Sequence, residues 1–188
     1  MNGNELETLI LKAAEEAENM KNNMNEEEAK DSGRDSWSEY EATFKAMFYH
    51  QLIENGLVYQ KISMENHPDV KEGNYLEKKK IDIWIEETND DYLIEVKLIG
   101  VDPTSQSLKK VYDKSDSLKV DLVKLTNIIN YYKDGHTFGI AIAVYDGDDS
   151  NIDCDYMESR LNKDVTKLLS PYVRIIVCAN RKCKYVQK

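Results

Sequence analysis

The sequence predicts an α/β fold in which a mixed central sheet lies between helices. Three observations carry this. Residues 78–100, KKKIDIWIEETNDDYLIEVKLIG, have the apolar alternation of two strands joined by a tight polar turn. Residues 136–146, HTFGIAIAVYD, are apolar without alternation, as in a strand covered on both faces. Around these, three segments repeat apolar residues at helical spacing, so the order reads helix, three strands, helix, strand, helix, strand.

At the N-terminus, Leu6, Ile10, Ala13, Ala17, Met20 and Met24 form a heptad-type seam on a charged helix. Such a seam either pairs with a second copy in a homodimer or docks on its own domain. Residues 22–36, NNMNEEEAKDSGRDS, read as a polar linker, which separates an acidic segment 1–35 from a domain 36–188. SWSEYEATFKAMFYHQLIENG, 36–56, is a helix with a serine cap at Ser36 or Ser38, apolar Tyr40, Phe44, Met47 and Phe48, and Gly56 as its stop. LVYQKISM, 57–64, follows as a strand and NHPDVKEGN, 66–74, as a loop. After the hairpin, VDPTSQSLKK, 101–110, is a loop leading to the helix 116–135, whose core side carries Leu118, Leu122, Leu125, Ile128, Ile129 and Tyr132. CDYMESRLNKDVTKLLS, 154–170, reads as a third helix and YVRIIVCAN, 172–180, as a last strand.

Composition excludes several classes. No apolar run approaches the ~20 residues needed to span a bilayer, and MNGNELETLILKAAEEAENMK is too acidic for a signal peptide, which places the chain in the cytoplasm without a membrane partner. Three cysteines without CxxC spacing and three scattered histidines argue against a disulfide framework or a zinc site. The net charge of −10 excludes nucleic-acid binding by bulk charge and leaves it to local basic surface. That acidity is concentrated in residues 1–35, which hold 4 Lys+Arg against 10 Asp+Glu.

The hairpin spends central positions on charge. Alternation sets Ile81, Ile83 and Ile85 on one face and Asp82, Trp84 and Glu86 on the other; Glu95 and Lys97 share the latter face with Leu93. A turn centred on Thr88 and Asn89 puts Asp82 opposite Glu95, at a Cβ separation of ~5 Å. Two carboxylates so close favour a cation between them, and oxygen ligands alone suit Mg²⁺ or Mn²⁺. Lys97 emerges one step further along the same face, where it can orient or help deprotonate a metal-activated water.

The stretch IDIWIEETNDDYLIEVK resembles the D-x(n)-E-x-K signature of the PD-(D/E)XK nuclease superfamily, the restriction-endonuclease-like fold. The resemblance covers roughly residues 36–146 and implies an αβββαβ core with the N-terminal helix as an extension. It implies a Mg²⁺-dependent nuclease, an endonuclease acting on nucleic acid and on DNA first. Asp82 and Glu95 would ligate the metal with the Val96 carbonyl, and Lys97 would be the catalytic lysine. Ile81 stands where the family name has proline, and the literal Pro68-Asp69 falls in a loop. Members often add a glutamate from the first helix, for which Glu41 is the candidate and Glu39 the runner-up. DLVKL, 121–125, resembles a pattern that follows the E-x-K strand in some members, and it offers Lys124 as a phosphate ligand. Arg181, Lys182 and Lys184, in a terminal segment without acids, are candidates for nucleic-acid contact, and Lys78–Lys80 beside the site are another. The alternative is a catalytically silent binding or inhibitory module on the same fold, with the N-terminal helix for oligomerisation.

Overall fold

The computed structural model describes residues 3–23, 36–99, 118–145, 151–161, 163–180 and 182–186, and the side chains of α2 from Glu41 onward. Met24, the linker at 24–35, the side chains of Ser36, Ser38, Glu39 and Tyr40, the loop 101–110 and Arg181 lie outside the described residues. The elements are α1 (Gly3–Asn23), α2 (Ser36–Glu54), β1 (Ile62–Asn66), β2 (Ile81–Glu86), β3 (Asp91–Ile99), α3 (Leu118–Tyr132), β4 (Thr137–Tyr145), α4 (Cys154–Arg160), α5 (Lys163–Thr166), β5 (Val173–Ala179) and β6 (Lys182–Tyr185).

The six strands form one mixed sheet in chain order, antiparallel at β1–β2, β2–β3 and β5–β6 and parallel at β3–β4 and β4–β5. Short turns permit only antiparallel neighbours, whereas the helical crossovers α3 and α4–α5 return the chain in the same direction. Two apolar layers result. One face packs Trp84, Leu93, Ala141, Ile175 and Val177 under Leu118, Leu122, Leu125 and Ile128 of α3 and Met157 of α4. The other packs Ile83, Ile85, Ile94, Val96, Ile140, Ile142 and Ile176 under α1 and α2. The sheet is thus flanked by helices on both faces. α2 stops at Gly56 (φ +93), where the N–H groups of Gly56 and Leu57 donate to the carbonyls of Ile53 and Leu52 and satisfy the end of the helix.

Several expectations change. β1 begins only at Ile62, because Tyr59–Lys61 closes a 3-10 turn in which Lys61 N–H donates to Val58 O at 2.9 Å. The helix expected at 154–170 divides at Leu161, whose backbone is extended (ψ 126). Its buried residues Met157, Leu161, Val165 and Leu169 recur at steps of four. Each such step rotates the stripe by about 40° on a continuous helix, and the break lets all four meet one sheet face. The basic terminal segment is no free tail: residues 182–185 pair with β5, with Cys178 opposite Cys183. These two cysteines form a cross-strand disulfide with a Cα–Cα separation of 4.2 Å, which overturns the expectation of none. The odd count hid a pair, because Cys154 is the free and buried one. Among the described residues no helix is long and apolar enough to cross a membrane.

The heptad seam also finds its partner within the chain. Leu6, Ile10, Ala13 and Ala17 are each 0% exposed and belong to the core under α1 and α2. These four positions are therefore closed to a second copy, Met20 further along the seam is 48% exposed, and α1, the described part of the acidic segment, packs in the domain's core. Ile10→Ala should cost about 2–5 kcal/mol of unfolding free energy, whereas Glu15→Ala on the exposed face should change it by no more than about 0.5 kcal/mol. Urea unfolding of both variants measures the difference, and equal small effects would contradict the burial of the seam.

Candidate active site

Position 82 interrupts the regular pairing of the sheet. β2 pairs with β3 from Glu86↔Asp91 to Ile83↔Ile94, a register centred on Thr88 and Asn89 as expected, and one further step sets Asp82 against Glu95. There a side chain takes over from the backbone: the Val96 N–H donates to Asp82 Oδ2 at 2.8 Å. On its other side β2 pairs with β1 through Met64↔Ile83 and again at Asn66↔Ile81, passing over Glu65 and Asp82. Glu65 has φ +52, a left-handed conformation that costs a side-chain-bearing residue roughly 1–2 kcal/mol. The strict alternation expected for β2 fails at the same place. Ile83 and Ile85 lie under α1 and α2, but Ile81 joins the opposite core beside Trp84.

The two carboxylates have separate cationic partners on opposite helices. Lys45 of α2, 13% exposed, places Nζ 2.7 Å from Asp82 Oδ1, 2.9 Å from Glu41 Oε1 and 3.6 Å from Glu65 Oε1. Lys124 of α3 places Nζ 2.6 Å from Glu95 Oε1 and 3.8 Å from Asp121 Oδ1, and donates to the Lys80 carbonyl at 2.8 Å. Burial acts to lower the Lys45 pKa, but Asp82 and Glu41 outweigh it and hold the ammonium above its ordinary range. Glu95 is the buried acid among the described residues, its side chain 4% exposed. Burial, and then the charge of Asp82, push its carboxyl up to about 8 despite Lys124. Burial likewise raises Asp121 to about 6, against the opposing charges of Lys124 and Lys97.

Apart from Lys45 and Glu65, these groups line one cavity of about 660 Å³ between the start of β2, the far half of β3 and the first turns of α3. Asp82, Glu95, Val96 and Lys97 line it, and Glu41 and Asp121 do too. Its rim is basic, with Lys78, Lys79, Lys80 and Lys119 beside Lys97 and Lys124. This is a local basic surface on an acidic chain. Trp84 and Leu93, buried beneath α3, show that the charged face of the hairpin is covered and is not an open solvated surface.

The structure therefore brings together Asp82, Glu95, Val96, Lys97, Glu41 and Lys124. It does not bring Lys182 and Lys184 there. They sit on β6, three strands from β3, roughly 14 Å at ordinary strand spacing, and Lys184 is held by Asp155 and Glu158 at 2.6 Å each. Asp69 is exposed in the β1–β2 loop and does not line the cavity. Lys45 and Glu65 were not anticipated. The i,i+4 spacing of Glu41 and Lys45 signals a helix ion pair, but nothing local signals that it faces Asp82.

Among the described residues no group of three or more His, Cys, Asp and Glu side chains is placed to hold an ion by itself. Mg²⁺ does not require one, since it keeps most of its waters and binds through one or two carboxylates. The donor set of Asp82, Glu95 and a backbone carbonyl fits that ion. No protein-family model, curated protein or solved structure matches the chain, so the chemistry of this site is argued from its own residues.

The raised Glu95 carboxyl has a measurable consequence. The folded protein keeps this proton to about pH 8, while the unfolded chain loses it near the ordinary value of 4.5. Folding binds a proton in that window, so stability without metal is full below it and falls as pH rises through it. Glu95→Gln removes the titration. Urea unfolding in EDTA across this range should show wild type losing stability towards pH 8 and the variant losing less. Equal pH slopes would contradict the burial of an ionisable Glu95.

Proposed function

We propose that this protein is a Mg²⁺- or Mn²⁺-dependent nuclease of the PD-(D/E)XK type, hydrolysing phosphodiester bonds of nucleic acid, DNA first. The observation that carries the reading is the meeting of Asp82, Glu95 and Lys97 in a cavity rimmed by lysines. The order α2, β1, β2, β3, α3, β4 supports it as well, since it is the αβββαβ order that the resemblance implies. Asp82, Glu95 and the Val96 carbonyl would hold the ion. When bound, the ion supplies charge that acidifies a water and offsets the negative charge growing on phosphoryl oxygens.

The chain's own groups have distinct tasks in this reading. Lys97 faces the same cavity as the carboxylates and orients the attacking water or stabilises the developing charge. The water oxygen bonds to phosphorus as the water gives up a proton to solvent, the ester P–O bond breaks, and the departing alkoxide takes up a proton from solvent, so that one water is consumed. Lys78, Lys79, Lys80 and Lys119 hold the phosphate backbone through charge without reading sequence. The binding-module reading has one observation in its favour: both carboxylates already carry lysine partners. Metal and substrate separate the two.

Purified protein is incubated with plasmid, linear duplex, single strand and RNA in Mg²⁺, Mn²⁺ or EDTA. Cleavage dependent on metal is expected, lost in Asp82→Ala. Lys97→Ala should lower the single-turnover rate on the order of 10²-fold or more while leaving Mn²⁺-induced thermal stabilisation in place. Absence of cleavage by wild type with every metal and polymer would transfer the assignment to the binding module.

A further inference from the structure

Three carboxylates from three elements converge on one ammonium. Glu41 of α2, Glu65 of β1 and Asp82 of β2 all lie within 3.6 Å of Lys45 Nζ. The shortest of these contacts is to Asp82, and it is also a hydrogen bond, at 2.7 Å. An ion shared by Asp82 and Glu95 carries two positive charges, and an ammonium in hydrogen-bond contact with the same carboxylate would repel it at close range. Lys124 stands in the same relation to Glu95, yet it also donates to the Lys80 carbonyl and so has a backbone anchor besides. Lys45 has no such backbone anchor among the contacts described. If it leaves Asp82, Glu41 remains one helical turn away and Glu65, 52% exposed on its side chain, remains to receive it.

We propose that Lys45 is a displaceable internal counter-ion of the metal site: it neutralises Asp82 in the metal-free protein, and the divalent ion must eject it towards Glu41 and Glu65. This rests on the metal-dependent reading above and adds that one lysine outside the D…E-x-K pattern sets the metal affinity. Lys45 is a positioning residue in this account. It holds Asp82 Oδ1 from α2 until the ion arrives, while the Val96 N–H holds Oδ2, and its cost appears in binding before any substrate is present.

The test is calorimetric titration of the full chain with Mn²⁺, for wild type, Lys45→Met, Lys45→Gln and Lys61→Met, each checked by circular dichroism and metal-free melting. Lys61 pairs with Glu87 at 3.8 Å away from the cavity, and it controls for the loss of one positive charge. Lys45→Gln keeps a hydrogen-bond donor for Glu41 and serves should Lys45→Met not fold. The uncharged Lys45 variants should bind Mn²⁺ about tenfold tighter or more and melt lower without metal, because a buried carboxylate then lacks its cation. Lys61→Met should bind as wild type does. Unchanged or weaker binding by the Lys45 variants, beside measurable binding by wild type, overturns the inference and leaves the nuclease reading standing. Equal tightening by Lys61→Met also overturns it, since net charge would then account for the effect. Absence of Mn²⁺ binding in all four proteins overturns both.

Discussion

The bond from the Val96 N–H to the Asp82 carboxylate governs the rest of the site. A backbone donor inside a sheet normally meets a backbone acceptor, and an unmet one is costly to bury. Here a side chain supplies the acceptor. With its carboxylate spent between the strands, Asp82 is passed over in the pairing to β1, and Glu65 opposite takes a left-handed backbone. The local reversal of faces at Ile81 keeps that residue in the core under α3 and turns Asp82 towards Lys45 of α2. One hydrogen bond thus determines where two strands separate and which helix each carboxylate meets.

Electrostatics follows from that separation. Glu95 remains on the face covered by α3, where burial and the neighbouring Asp82 both oppose its ionisation. Lys124 answers from α3, and Lys45 answers Asp82 from α2. The metal-free site is therefore a pair of lysine–carboxyl contacts held by opposite layers of the fold, with Lys97 lining the same cavity. On the reading proposed above, the affinity for an ion depends on how readily these lysines yield. Buried ion pairs of this kind contribute little net stability once desolvation is counted, although removing one partner alone is costly.

The two apolar layers serve the same end by rigid support. α1 has an acidic outer side, yet its seam closes the face that carries α2, and α2 carries Lys45 and Glu41. A helix that looks in sequence like a detachable extension thus belongs to the scaffold of the site. At the far edge, the Cys178–Cys183 bridge and the pairs of Lys184 with Asp155 and Glu158 tie β6 to the body of the domain. Lys184 there is tied to α4, three strands from the strand that lines the cavity.

By itself the sequence determined most of the elements and the hairpin register. Strand alternation in 81–86 and 91–99 and the polar turn at Thr88–Asn89 specify which residues oppose one another, so Asp82, Glu95 and Lys97 were legible as a group. These are local periodicities, and a period encodes which positions share a face without encoding what covers it. Only the tertiary structure decided that Lys45 meets Asp82 across 37 residues of sequence and that Lys124 meets Glu95. The heptad seam shows the same division: its spacing announces an apolar stripe, but the choice between a second copy and its own sheet depends on the area that α2 and β6 leave open. Cys178 and Cys183 were separately visible, yet their pairing required a strand that the charge of residues 182–185 disguised as a tail. Pairing partners are set by burial and by long-range strand order, because a charged side chain far along the chain carries no periodic mark of the carboxylate it will neutralise.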